Sequence, residues 1–470
     1  MAKQTERKIT PCPYIFFLLF GTSFFTYSPN AHSEKSTRAY FNNRTSSQYY
    51  DPYRKVNKIG DNLESEIVDF IKTAKSDVSI AIQELRLPKI AHALVKLKES
   101  GVRVRVVLEN SYNQSIPELD FEQIEDKEHR LQKKIKDLRS LVDLNKDGSL
   151  NSEELLQRDA IYILRKARVP IVDDTEDGSL GSGLMHHKFI IVDQKKVIVS
   201  SANFTLSGVH GDFLSKESIG NANSLISVRN SEMARFFQQE FNLLWGDGPR
   251  GINDSLFGSK KPYRGPKTFQ TSQGQITVQF SGGQRHSPTI QSTNNLIVQE
   301  IAKTTESIHA ALFVFSKQAI ANQMRSQRYK YNTEIQLIGE KNFAYRNYSE
   351  FVDIWGLKLR DINNCKYETK NSPWSKPVRS SVSVARMNKG DIMHHKFAVL
   401  DKERVIFGSH NWSDASETTN DETLVVIKDN SIAEEFLAEF KTHYERAYKG
   451  PPQWFYNHIE KVNAFCMQEN

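Results

Sequence analysis

Apolar residues recur along the chain in two alternating rhythms. Leu63, Ile67, Phe70, Ile71 and Ala74 fall at helical spacing, and Val78, Ile80 and Ile82 then alternate as in a strand. Ile90, Leu94 and Leu97 predict a second helix ending at Gly101, with Val102, Val104 and Val106 on the next strand. The second half repeats the order. Leu296, Ile297, Ile301 and Ala302 read as helix, and Ile308, Ala310, Leu312 and Val314 as strand. Ile320 and Met324 mark another helix, and Ile335 and Leu337 another strand. Residues 224–228 and 423–427 predict one more strand per half, each followed by a helix in which 237–241 matches 436–440. The pattern predicts an α/β protein of two duplicated domains, over 57–245 and 269–450.

The connecting segments lack such periods. Residues 34–56 are rich in Ser, Thr, Asn and Tyr and read as a linker or arm. Residues 246–268 carry Gly, Pro and basic residues, as an interdomain linker does, and 451–470 read as a tail. The first 33 residues have the form of an export signal: Lys3, Arg7 and Lys8, an apolar run over 14–25, then Ala31-His32-Ser33. A spanning helix needs about 20 apolar residues, so the run predicts cleavage and a secreted or periplasmic protein. Cleavage leaves Cys365 and Cys466, either as one disulfide or as two separate thiols.

Composition adds little. The 470 residues hold 63 Lys+Arg against 56 Asp+Glu, a formal charge of +7, and the mean hydropathy is −0.54. This mild basic bias suits an anionic substrate without choosing between nucleic acid and a phospholipid surface. Peripheral membrane contact is compatible with it. Oligomeric state is not encoded in these features, and a monomer suffices.

The chemistry lies in a repeated phrase. Met185-His186-His187-Lys188-Phe189-Ile190-Ile191-Val192-Asp193 and Met393-His394-His395-Lys396-Phe397-Ala398-Val399-Leu400-Asp401 stand 208 positions apart. Each leads into a turn of small residues, Ser200-Ser201-Ala202-Asn203 and Gly408-Ser409-His410-Asn411, at the same offset. On a strand, His186 and Lys188 share one face, as do His394 and Lys396, while His187 and His395 point to the other. Such a set suits a phosphodiester. One imidazole can attack phosphorus and form a phosphohistidine, the other can protonate the leaving alkoxide, and Lys and Asn side chains can hold the non-bridging oxygens.

These motifs closely resemble those of the phospholipase D superfamily. The resemblance implies two α/β domains face to face around one active site that requires no metal. It implies His186 as nucleophile, His394 as acid/base, and Lys188, Lys396, Asn203 and Asn411 on the phosphate, with Ser201 and Ser409 beside them. Asp193 and Asp401 complete the motifs, but their odd parity to the histidines places them as turn-holding groups. The family often carries an acid after the second turn to orient a catalytic His, here Glu422; the aligned residue of the first copy is Asn223. Phospholipid headgroups are the first substrate class implied, an endonuclease acting on DNA or RNA the second, and a phosphatidyl transferase such as cardiolipin synthase the third.

One motif stands apart. Residues 143–154 match an EF-hand loop, with oxygen ligands at Asp143, Asn145, Asp147, Asn151 and Glu154, the carbonyl of Ser149, and Gly148 at the sixth position. Leu131, Ile135, Leu138 and Val142 predict its first helix, and Leu155, Leu156, Ile163 and Leu164 its second. Ca²⁺ is expected to stiffen this insertion into the first domain, over about 110–154, rather than to enter the chemistry.

Overall fold

The computed structural model describes Met1 and residues 35–119, 129–176, 183–283 and 292–468. The proposed export signal falls outside them. Residues 36–470 form one compact unit built on two large mixed sheets. In the first, neighbours run Thr37–Phe41, Ser224–Arg229, Lys196–Ser200, Lys188–Val192, Asp77–Ile82, Arg103–Leu108 and Ile171–Asp173. The last three are mutually parallel; the other pairings are antiparallel. The second sheet repeats this order from Gly274–Phe280 through Thr423–Lys428, Arg404–Gly408, Lys396–Leu400, Ser307–Leu312, Glu334–Gly339 and Val382–Val384. It adds Lys267–Thr271 at one edge and Tyr448–Lys449 at the other.

Burial explains why this order recurs. Phe189–Val192 and Phe397–Leu400 are inaccessible on both faces, because each sheet has a core on either side. The inner faces share one core with the helices Ser231–Trp245 and Asn430–Tyr444, where Phe41, Phe189, Phe237, Phe280, Phe397 and Phe436 meet. The outer faces carry separate cores. Leu63–Lys72 and Pro88–Glu99 cover the first sheet, and Thr293–Ala302 and Gln318–Tyr331 cover the second.

The structure corrects three boundaries. Residues 34–56 are no tether: Thr37–Phe41 is the edge strand of the first sheet, in the place that Gly274–Phe280 takes in the second. Residues 246–268 contain Lys261, fully buried between Glu240 and Asp421 at 2.6 Å from each. The expected tail is the helix Gln453–Gln468, which seats Phe455, Val462 and Cys466 in the second outer core. The helix expected after the 143–154 loop is two, Ser152–Arg158 and Ala160–Lys166. Asp159 breaks it by accepting the N–H groups of Ile161 and Tyr162. Among the described residues no helix is long and apolar enough to cross a membrane.

Cys365 and Cys466 are bridged across 101 positions. Closing so long a loop stabilises the fold by about 4–5 kcal/mol in the chain-entropy model. Thiol reductant, or Cys466→Ser, is therefore expected to lower the thermal midpoint clearly; an unchanged melt would contradict a stabilising bridge.

Candidate active site

The two motif strands sit at matching places. Lys188 pairs with Ile82 and Lys396 with Leu312, at the ends of equivalent strands. Just before each strand the repeats bond to one another. The His186 N–H donates to the Asp421 carbonyl at 3.0 Å and the Asp421 N–H to Leu184 at 2.8 Å. The His394 N–H donates to Ala222 at 3.1 Å and the Ala222 N–H to Ile392 at 2.9 Å. This reciprocal ladder delivers both motifs to one place.

Side chains cross in the same way. His186 Nδ1 lies 2.7 Å from Glu422 Oε2, and His394 Nδ1 lies 2.9 Å from Asn223 Oδ1. Each histidine is thus oriented by the opposite repeat. Ser409 donates to the same Glu422 oxygen at 2.6 Å, and Ser201 to Asn223 Oδ1 at 2.9 Å. The Asn223 amide donates its N–H to the Gly208 carbonyl at 2.9 Å, which leaves its oxygen facing His394. An acceptor at Nδ1 holds the proton there and leaves each Nε2 lone pair available.

The lysines follow suit. Lys188 and Lys396 Nζ each donate to the carbonyl of their own histidine at 2.8 Å, on His186 and His394. Both are buried. Gln83 Oε1 accepts from Lys188 at 3.2 Å and from the Asn203 amide at 3.1 Å. In the second repeat Phe313 takes the place of Gln83, with Lys396 Nζ 4.7 Å from its ring centre. The Asn411 amide oxygen is closed off from solvent without a hydrogen-bond partner.

Burial sets the charge state. It is the largest cause holding His186 and His394 well below the usual imidazole value, and the two lysine ammonium groups add to it. Burial also pulls Lys188 down to about 7 and Lys396 well below its ordinary value, while it pushes the Glu422 carboxyl up. For the His186–Glu422 contact we assign a neutral imidazole donating Nδ1–H, because desolvation outweighs the attraction for a second proton.

The remaining motif residues hold the frame. Asp193 and Asp401, grouped with the catalytic residues by their motifs, are not at the site. A strand rises about 3.3 Å per residue, which carries each roughly 16 Å beyond its lysine. There Asp193 accepts the N–H groups of Lys75, Ser76 and Asp77, and Asp401 those of Thr305, Glu306 and Ser307. His187 and His395 face the shared inner core. His187 bonds Thr423 and Glu240, and His395 bonds Ser224 and Glu439.

The family model described as "Cardiolipin synthase, PLD-like domain" matches residues 67–245 and 297–444. The chain belongs to the phospholipase D-like family. It is 30% identical to human (Homo sapiens) mitochondrial cardiolipin hydrolase over 112 residues, 24% of this chain and 44% of that one. With phospholipase D of Rickettsia conorii it shares 33% over 85 residues, 17% of this chain and 42% of that one. The chain thus spans less than half the length of these curated relatives. The phosphatidylserine synthase structure from Haemophilus influenzae superposes with a TM-score of 0.51 at 9% identity, over 86% of this chain and 90% of that one. That likeness concerns the fold alone.

The phospholipase D-like site also uses residues that the motifs do not contain. Glu109 and Glu340 accept the N–H groups of Met185 and Met393, each at 2.7 Å, and so fix the backbone ahead of each histidine. Both directly follow equivalent strands, Arg103–Leu108 and Glu334–Gly339. That repeated strand–Glu junction is the signal that locates them. Burial and the neighbouring Asp174 push Glu109 up to about 8. Gln83 carries no such signal, since its counterpart is Phe313.

Five histidines, His186, His187, His394, His395 and His410, have folded values below the ordinary 6.5, with His395 and His410 near 4. Between those limits the unfolded chain binds more protons than the folded one, so their contribution to stability is lost as pH falls. Glu422, Glu109 (about 8) and Glu350 (about 9), all shifted upward by burial, bind protons first in the folded state and offset part of this. Thermal midpoints are expected to drop steadily from pH 7 to pH 4.5; a flat profile would contradict neutral buried imidazoles.

Proposed function

We propose that this phospholipase D-like protein cleaves phosphodiesters through a phosphohistidine on His186, with phospholipid headgroup diesters as substrates. The observation that carries the reaction is the crossed support of the two histidines, one by a carboxylate and one by a neutral amide. Attack by His186 Nε2 on phosphorus forms a P–N bond and places positive charge on the ring, which Glu422 compensates. His394, which gains a proton at Nε2 when the anionic diester binds, gives that proton to the leaving alkoxide, and its Asn223 partner does not oppose the departure. Water, deprotonated by His394, then attacks phosphorus and breaks the P–N bond. Lys188, Lys396, Asn203 and Asn411 hold the non-bridging oxygens, where charge grows.

The lipid substrate draws support from two relatives, a cardiolipin hydrolase and a phospholipase D. Export fits the signal-like first 33 residues, and the Cys365–Cys466 bridge supports an oxidising compartment. Membrane contact would then be peripheral.

Purified mature protein should release headgroups from cardiolipin- or phosphatidylcholine-containing vesicles, and His186→Ala should lower the rate by at least about 10³-fold. Cut plasmid DNA with intact vesicles would instead make it a nuclease.

The division of roles has its own test. Asn223→Asp places a carboxylate beside His394 and should keep it protonated to higher pH. The alkaline limb of kcat should rise by about one pH unit. A loss of kcat with an unmoved limb would assign Asn223 a structural role only.

A further inference from the structure

We propose that the 143–154 loop binds Ca²⁺ and that the ion, by fixing the helix ahead of it, holds in place the segments that present His394. The proposal goes beyond the reaction above, and its link to turnover rests on that reading.

The loop has the form the ion requires. It joins the helix His129–Val142 to the helix Ser152–Arg158. Asp143, Asn145, Asp147, Asn151 and Glu154 supply side-chain oxygens at the first, third, fifth, ninth and twelfth positions. Gly148, at the sixth, has φ +83°, a conformation that disfavours any side chain. The Asp143 carboxylate is turned into the loop, where its Oδ2 accepts the Gly148 N–H at 3.1 Å. Its Oδ1 is shut off from solvent and has no hydrogen-bond partner. A buried carboxylate oxygen without a donor points to a cation. Glu154 is only 4% exposed, with its oxygens against the N–H groups of Leu144, Asn145 and Asn151. Capping of the helix Ser152–Arg158 accounts for the Asn151–Glu154 exchange. It does not account for the donor series or for the orphaned Asp143 oxygen.

The helix His129–Val142 reaches from this loop towards the active site along two routes. In one, Lys134 pairs with buried Glu84 at 2.7 Å. Glu84 adjoins Gln83, the partner of Lys188 and Asn203. In the other, the Asp137 carboxylate accepts the N–H groups of Phe213 and Leu214 at 2.6 and 2.8 Å, and Lys133 pairs with Asp212 at 2.7 Å. Residues 212–214 belong to the stretch that gives the first repeat nine residues more than the second. Further along it, Ser218, Ile219 and Gly220 all bond the carboxylate of Asp391, three residues before His394. The same stretch ends at Ala222 and Asn223, which bond the backbone and the ring of His394. The loop with its leading helix and the extra nine residues both belong to the first repeat, and that helix grips the extra residues through Lys133 and Asp137. That conjunction is what a built-in coupling requires.

The test uses chelator-treated full-length mature protein. Calorimetric titration with CaCl₂ should show one site with a Kd of about 10⁻⁴ M, weakened at least about tenfold by Glu154→Gln. Amide hydrogen exchange over 211–223 and 388–394 should slow on adding Ca²⁺. In Asp137→Asn, calcium should still bind but no longer protect those segments. With a diester substrate in hand, EGTA should slow wild type several-fold and leave Asp137→Asn unaffected. No binding by wild type, or binding indifferent to Glu154→Gln, overturns the site. Binding without protection of 211–223 and 388–394, or a rate indifferent to EGTA, overturns the coupling. Exchange needs no substrate, so it answers even if the proposed reaction fails.

Discussion

The imidazole of each repeated motif is held by a side chain of the other repeat, and the fold is arranged to make that exchange possible. His186 depends on Glu422 and His394 on Asn223. His186, Glu422 and Asn223 are buried, where water does not readily substitute for a lost partner, and His394 is partly buried. Leaving a buried polar group without its hydrogen-bond partner costs about 1–3 kcal/mol, so the repeats cannot part without uncovering such groups. The backbone bonds around Asp421 and Ala222 add to the constraint, and the phenylalanine core between the sheets supplies the bulk of the attraction. One site therefore needs both copies, which explains why residues 36–470 behave as a single compact body.

The copies have diverged where charge matters and stayed alike where geometry matters. The His, Lys and Ser positions coincide, as do the strand-end glutamates Glu109 and Glu340. The partner of the histidine is a carboxylate on one side and an amide on the other. Gln83 is matched by Phe313, so Lys188 has a polar neighbour and Lys396 an aromatic face. Behind the site, Glu240 meets Lys261 while Glu439 meets His443. Gly408 has φ +147°, and a Cβ there would lie 2.1 Å from the Thr423 carbonyl; Ser200 occupies the matching place with an ordinary backbone. A reaction that needs one nucleophile and one acid is served by such inequality.

How much of this was legible follows from how each feature is encoded. The repeated His-x-Lys phrase and the strand periodicity specify local structure, and they locate the fold class, both histidines, both lysines and the turns that carry Ser201, Asn203, Ser409 and Asn411. The crossing of partners is not local. Nothing near Glu422 in sequence indicates that it serves His186 rather than His394, because the sheets must first be placed face to face. The edge strand Thr37–Phe41 was hidden for a related reason: its burial alternates over only five residues, and its neighbour comes from Ser224–Arg229, far along the chain. The segment 246–268 has the composition of a tether, yet Lys261 is the buried counter-charge of two acids. Composition reports solubility, not such long-range pairing.

The electrostatics of the site favour an anion. Two lysines are buried around two histidines with Glu422 as the acid in contact with a catalytic ring, and burial lowers all four bases. Protonating any one of them makes the others harder to protonate, because each feels its neighbours' charge. An anion seated between them reverses this. It attracts protons to the lysines and to one imidazole, and in a water-poor setting that attraction is stronger than it would be in solution. Under the proposed roles that proton sits on Nε2 of His394, and Glu422 compensates the charge that forms on His186 during attack. A phosphodiester carries the single negative charge and the two free oxygens that such a cluster can engage, so in the proposed reaction binding the diester and protonating its acid would be the same event.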